Sequence, residues 1–171
     1  MIFDRQLIIE AKDTLDVLRD SGLKLAMAES CTGGLVAALL TSIAGSSTVV
    51  ERGFVTYSNE AKVEMLGVPM ALIEQHGAVS EQVAREMAEG ALRKSRANVA
   101  VSVTGIAGPG GGSREKPVGL VHFACARTDM TTHHVRMAYG DVGRDQVRHA
   151  SVGTALAMIR QSVSQGGGML A

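Results

Sequence analysis

The sequence predicts one α/β domain built on a mixed sheet. Short, wholly apolar runs alternate with amphipathic helical stretches over 171 residues, a length that suits a single domain. Toward the C-terminus, two strand-like runs flank Arg127–Thr128–Asp129, a hairpin turn that makes this pair antiparallel.

Each element follows from its local pattern. Residues 7–18 carry Ile8, Ala11, Leu15 and Leu18 on one helical stripe, and Gly22 stops the helix. Residues 25–28 form an apolar strand of the kind buried on both faces. A polar turn over 29–34 leads to a helix over 35–43 that ends at Gly45. A second strand starts near Val49 and runs to Tyr57. Ser58 or Asn59 caps a helix over 60–66 closed by Gly67, and Pro69 opens another through Gln75. Ser80 caps the helix 81–95, whose apolar face holds Ala84, Met87, Ala88, Ala91 and Leu92. The strand 98–104 runs into a glycine-rich loop over 105–112. Strands over 118–126 and 132–139 and a helix over 144–163 complete the domain, 1–165, and residues 166–171 are expected to fray.

Composition removes several function classes. Lys and Arg total 17 against 17 Asp and Glu, so the formal charge is zero. A surface for nucleic acid or anionic membrane usually needs clustered excess base, and neither partner is expected. No apolar run approaches a membrane span, and residues 1–10 lack a secretory signal pattern. The two cysteines, Cys31 and Cys125, read as reduced thiols in a cytoplasmic protein.

Three strand ends carry polar or glycine-rich sequence, and ligands of open α/β sheets collect beyond such ends. In Glu29–Ser30–Cys31–Thr32–Gly33–Gly34 a hydroxyl and a thiol precede a helix N-terminus, where free N–H groups favour developing negative charge. The turn can hold a nucleophile and an oxyanion hole, while the plainer reading has Ser30 or Thr32 only capping the helix. The second segment brings Tyr57 and Lys62. A desolvated lysine can act as a neutral base for serine, with tyrosine positioning it or relaying its proton; alone, each reads as an ordinary surface or half-buried residue. In the third, Gly105, Gly108, Gly110 and Gly111 suit close approach of backbone to an anion, yet match no standard phosphate loop; a plain surface turn is the alternative. Arg144 and Arg148, one helical turn apart, either clamp a phosphate or are surface arginines.

Other constellations are missing. His76, His122, His133, His134 and His149 have no metal-ligand spacing, and His133 and His134 in one strand point to opposite faces. No metal and no cofactor are expected. Tyr57 and Lys62 are not spaced as in short-chain reductases, which demotes an oxidoreductase.

The runs A-E-S-C-T-G-G (28–34), G-F-V-T-Y-S-N-E-A-K (53–62), G-A-V-S (77–80), T-G-I-A-G-P-G-G-G (104–112) and K-P-V-G (116–119) resemble the CinA C-terminal domain family over nearly the whole chain. Its members include nicotinamide-nucleotide amidases. The resemblance implies a three-layer α/β/α sandwich. It also implies hydrolysis of nicotinamide mononucleotide to nicotinate mononucleotide and ammonia in pyridine nucleotide salvage. It places the nucleophile at Ser30, the base at Lys62 and the assisting tyrosine at Tyr57. Oxyanion and substrate contacts fall on Cys31, Thr32, Gly33, Gly34, Asn59, Thr104, Gly105, Gly108, Gly110, Gly111 and Arg144. Many members carry a second, N-terminal molybdopterin-binding-like domain, so this chain resembles the standalone form. A homo-oligomer is compatible with these features, and a non-catalytic nucleotide-binding or competence-associated protein is the alternative function.

Overall fold

The computed structural model describes residues 3–166. The expected fraying of Gly167 to the C-terminus lies outside the described residues, whereas Gly166 closes a helix.

The first helix, α1 (Arg5–Asp20), starts where the Asp4 carboxylate accepts the Leu7 N–H at 2.8 Å. Of the expected stripe Ala11, Leu15 and Leu18 are buried, while Leu7 rather than Ile8 fills the first position and Ile8 is half-buried. The chain continues through β1 (Leu25–Glu29), α2 (Leu35–Thr41) and β2 (Val50–Val55). Three helices follow, α3 (Asn59–Leu66), α4 (Met70–His76) and α5 (Glu81–Arg93), then β3 (Val99–Gly105). The antiparallel pair β4 (Leu120–Arg127) and β5 (His133–Ala138) leads to α6 (Arg144–Gly166). Helix α6 outruns the expected end at Val163 for a tertiary reason. The Arg127 guanidinium donates to the carbonyls of Ser162 at 2.6 Å and Val163 at 3.3 Å, satisfying orphan acceptors of the last turns.

The sheet order is β2-β1-β3-β4-β5. Strands β2, β1 and β3 run parallel, and β4 and β5 are antiparallel to their neighbours, so the sheet is mixed as predicted. From β1 the chain moves outward to β2, then crosses back over α3–α5 to β3 on the other side of β1. That reversal opens a crevice beyond the C-terminal ends of β1 and β3.

Helices cover both faces, making three layers, and the two faces differ in side-chain size. One presents Leu25, Met27, Val101, Val103 and Phe123 to α1, α2 and α6. The other presents Ala26, Ala28, Ala100, Ala124 and Ala126 to the α5 side. Small strand residues let α5 lie close, and Ser102 Oγ donates to the Ala84 carbonyl at 2.6 Å across this seam. No described helix is long and apolar enough to cross a membrane.

The tightness of this layer is testable at Gly90 of α5, whose Cβ, if present, would overlap the Leu66 carbonyl oxygen at the end of α3. Helix propensity favours Ala over Gly by about 1 kcal/mol. Gly90→Ala is nevertheless expected to destabilise by about 1–3 kcal/mol through overpacking, seen as a lowered midpoint of thermal unfolding.

Candidate active site

Strand β1 ends on Glu29, a carboxylate only 1% exposed in a layer where burying charge is costly. Backbone donors solve this. Oε2 accepts the N–H groups of Gly34 and Val36, each at 3.1 Å, and Oε1 that of Ala37 at 2.9 Å. Glu29 therefore caps α2 from before the turn, and Gly34 sits at the N-cap with φ +98° and no side-chain cap of its own. Neither Ser30 nor Thr32 is spent on capping. The sequence reading missed this role of Glu29, whose only signal is a charged residue directly after a buried strand.

The turn leaves few free donors. Gly33 N–H goes to the Ser30 carbonyl at 3.0 Å and Gly34 N–H to Glu29, so neither supports an oxyanion. The N–H groups of Cys31 and Thr32 have no acceptor among the described residues. Of the N–H groups expected to serve an oxyanion over residues 31–34, those of Cys31 and Thr32 are left unengaged among the described residues.

Ser30 faces Lys62. Ser58 caps α3 by accepting the Ala61 N–H at 3.0 Å, which fixes the helix start and turns Lys62 inward. Lys62 is 1% exposed and has no ion pair among the described residues. Its Nζ lies 2.9 Å from the Thr56 carbonyl, 3.4 Å from the Ser58 carbonyl and 3.1 Å from Ser30 Oγ. Burial lowers its pKa from the usual 10.5. A neutral amine has two N–H donors and one lone pair. In that form the two donors match the Thr56 and Ser58 carbonyls and the lone pair is left for the Ser30 hydroxyl, whereas an ammonium donates to all three.

Tyr57 stands apart from this pair. The residue is 60% exposed, and its hydroxyl accepts from Arg144 Nη2 at 3.0 Å and makes no hydrogen bond to Lys62. The expected proton relay through Tyr57 therefore has no hydrogen bond to run along. Lys62 tucks beneath the Thr56 and Ser58 carbonyls, whereas Tyr57 points to the mouth. Arg144 Nη1 donates to the Gly108 carbonyl at 2.9 Å, so the guanidinium spans the mouth from Tyr57 to the glycine loop.

A cavity of about 250 Å³ holds these groups together. Of the expected residues, Ser30, Cys31, Tyr57, Asn59, Lys62, Thr104, Gly105 and Arg144 line it. Thr32, Gly33, Gly34, Gly108, Gly110 and Gly111 do not. Gly110 and Gly111 instead border a separate hollow beside Arg114 and Asp141. Arg148 does not join Arg144 in a clamp, because its Nη2 donates to the Thr32 carbonyl at 3.1 Å and braces the turn. Ala78, Val79 and Ala107 line the cavity and were not singled out as site residues. Their apolar side chains carry no chemical signature, although Ala78 and Val79 belong to the G-A-V-S run.

Cys31 is 6% exposed, and burial pushes its thiol up to about 12, so it stays protonated near neutrality. Cys125 is likewise buried, and both thiols are free.

Fold and site together define a three-layer α/β protein with a serine–lysine pair at the switch point of its sheet. The chain belongs to the CinA C-terminal domain family, which matches residues 9–163. It is 50% identical over 164 residues to nicotinamide-nucleotide amidohydrolase PncC of Escherichia coli K12, covering 95% of this chain and 98% of that protein. It is also 50% identical to a CinA-like protein of Anaeromyxobacter dehalogenans, over 93% of this chain. The chain spans 34–40% of the length of that protein and four other longer relatives. The crystal structure of competence/damage inducible protein CihA from Agrobacterium tumefaciens superposes with a TM-score of 0.91 at 53% identity, covering 95% of this chain and 98% of that one.

Two outcomes are expected from the turn. Glu29→Ala strands three N–H groups, at about 1–3 kcal/mol per donor that stays buried, and should lower the denaturant midpoint markedly. Cys31 should resist iodoacetamide at pH 8 in the folded protein and react once unfolded, as read by intact mass.

Proposed function

We propose that this protein hydrolyses the carboxamide of nicotinamide mononucleotide, giving nicotinate mononucleotide and ammonia. The observation that carries the reading is the placement of Lys62 Nζ, 3.1 Å from Ser30 Oγ and within hydrogen-bond reach of two carbonyls. The near-full-length identity to a nicotinamide-nucleotide amidohydrolase supports the substrate.

In this mechanism neutral Lys62 takes the Ser30 proton as Oγ attacks the carboxamide carbon. The N–H of Cys31, which lines the cavity, holds the oxyanion. The C–N bond breaks, and the Lys62 ammonium returns its proton to the departing nitrogen, which leaves as ammonia. Water then attacks the acyl-serine, giving its proton to Lys62. The ester bond breaks, and Ser30 is reprotonated. The pyridinium draws electrons from the carbonyl and eases both attacks. The ring carboxamide occupies the cavity, and ribose and phosphate extend past Asn59 and Tyr57 toward Arg144, whose planar guanidinium suits a phosphate. Thr104 acts through the wall, since its hydroxyl donates to the Ala78 carbonyl at 2.8 Å. The two buried thiols fit a cytoplasmic location.

The test is ammonia release from the mononucleotide. Ser30→Ala and Lys62→Met should each lose about 10²–10⁴ in kcat; near-normal turnover by Ser30→Ala would sink the proposal. Because Lys62 must be neutral, kcat/KM should rise with pH along a limb centred below 10.5. Linkage gives the same window for stability. The unfolded lysine binds its proton more tightly than the folded one, so its contribution to stability rises with pH from the lowered folded pKa up to 10.5. Lys62→Met should abolish that slope.

A further inference from the structure

The G-A-V-S and K-P-V-G runs have no part in the chemistry above, yet they meet in space. The loop between α4 and α5 passes through Gly77, Ala78 and Val79 and forms one wall of the cavity. It is tied from behind. Lys116 Nζ donates to the His76 carbonyl at 2.5 Å. It lies so close to Gly77 that a Cβ there would stand 2.7 Å from it, and Gly77 has φ +77°. Lys116 is itself fixed, because its N–H donates to Ser113 Oγ at 3.0 Å and its carbonyl accepts the Ser113 N–H at 2.8 Å. Thr104 and Ser80 add bonds to the Ala78 and Gly77 carbonyls, each at 2.8 Å.

Behind this wall lies a second cavity of about 320 Å³, bordered by Lys116, His122 and Arg136. Val79 lines both cavities, so it is the partition between them. The loop's other bonds come from α4, where the Gly77 N–H donates to the Ile73 carbonyl at 2.7 Å, from β3 and from the loop itself. Among the described residues Lys116 is the one tie from the segment that borders the far cavity.

We infer that Lys116 is a positioning residue that sets substrate specificity: by latching His76 it holds Val79 as a fixed partition and so fixes the width of the site for a flat ring carboxamide. The inference rests on the function proposed above for the substrate and on geometry for the latch. Without the latch the wall can yield into the cavity behind, and the ring loses its contact surface while Ser30 and Lys62 stay in place. The loss is then in binding rather than in chemistry.

The experiment compares wild type, Lys116→Ala, Lys116→Arg and Val79→Ala. Steady-state ammonia release from nicotinamide mononucleotide is measured alongside amide hydrogen exchange of residues 77–79. Lys116→Ala should raise KM about tenfold with kcat within about threefold, and Lys116→Arg, which keeps a donor of similar reach, should recover most of the loss. Exchange in this segment should speed up at least about tenfold in Lys116→Ala at Gly77, whose N–H donates to the Ile73 carbonyl at 2.7 Å, with the sheet amides unchanged. Val79→Ala should raise KM without that local change, separating wall from latch. Unchanged exchange and unchanged KM in Lys116→Ala overturn the inference, as does a fall in kcat with KM constant. If wild type releases no ammonia, the functional reading fails; the exchange measurement still decides the latch without turnover.

Discussion

The site depends on one amine nitrogen kept from water and from any carboxylate. Lys62 reaches the C-terminal edge of the sheet from α3, and the backbone it meets offers only carbonyls. A charged ammonium there would have no counter-ion and little solvent, so the neutral form gains relative to water. Much of the neighbouring structure serves this condition. Ser58 fixes where α3 begins, β2 delivers the Thr56 carbonyl, and β1 delivers Ser30.

A second constraint acts through the helix that follows Ser30. The turn carrying the proposed nucleophile also begins α2, whose first N–H groups need acceptors. If Ser30 or Thr32 supplied them, the hydroxyl would be diverted from chemistry. Glu29 removes the conflict from the preceding strand position, and its negative charge offsets the positive helix end. The donors that remain, at Cys31 and Thr32, directly follow Ser30 in the chain.

The fold was legible because buried parallel strands read as apolar runs and helices as stripes, and both patterns are local. The difference between the sheet's two faces was also written in the sequence, as alternating small and large residues in β1 and β3. Ser30 and Lys62 were legible as chemistry-bearing types at strand ends. What sequence could not supply was partner choice. The partners of Glu29 are backbone N–H groups, which have no residue type. Tyr57 and Lys62 lie five positions apart in the chain, yet one is exposed at the mouth and the other buried. The glycines of 108–112 resembled an anion cradle; in the structure Gly108 and Gly111 take φ of +83° and +85°, a backbone path that needs glycine whatever binds there. Helix α6 ran past its expected end because Arg127, distant in sequence, supplies donors to its last turns.

The bridge made by Arg144 has a kinetic consequence. Its partners, a phenol and a carbonyl, are neutral, and it has no ion pair among the described residues. An approaching anion therefore meets an uncompensated positive charge at the rim and displaces no carboxylate. In a molecule with no net charge, attraction toward this rim is local, fading over roughly 8 Å at physiological ionic strength. Capture of a phosphorylated ligand should then be governed by encounters near the mouth, with added salt slowing arrival more than it speeds departure.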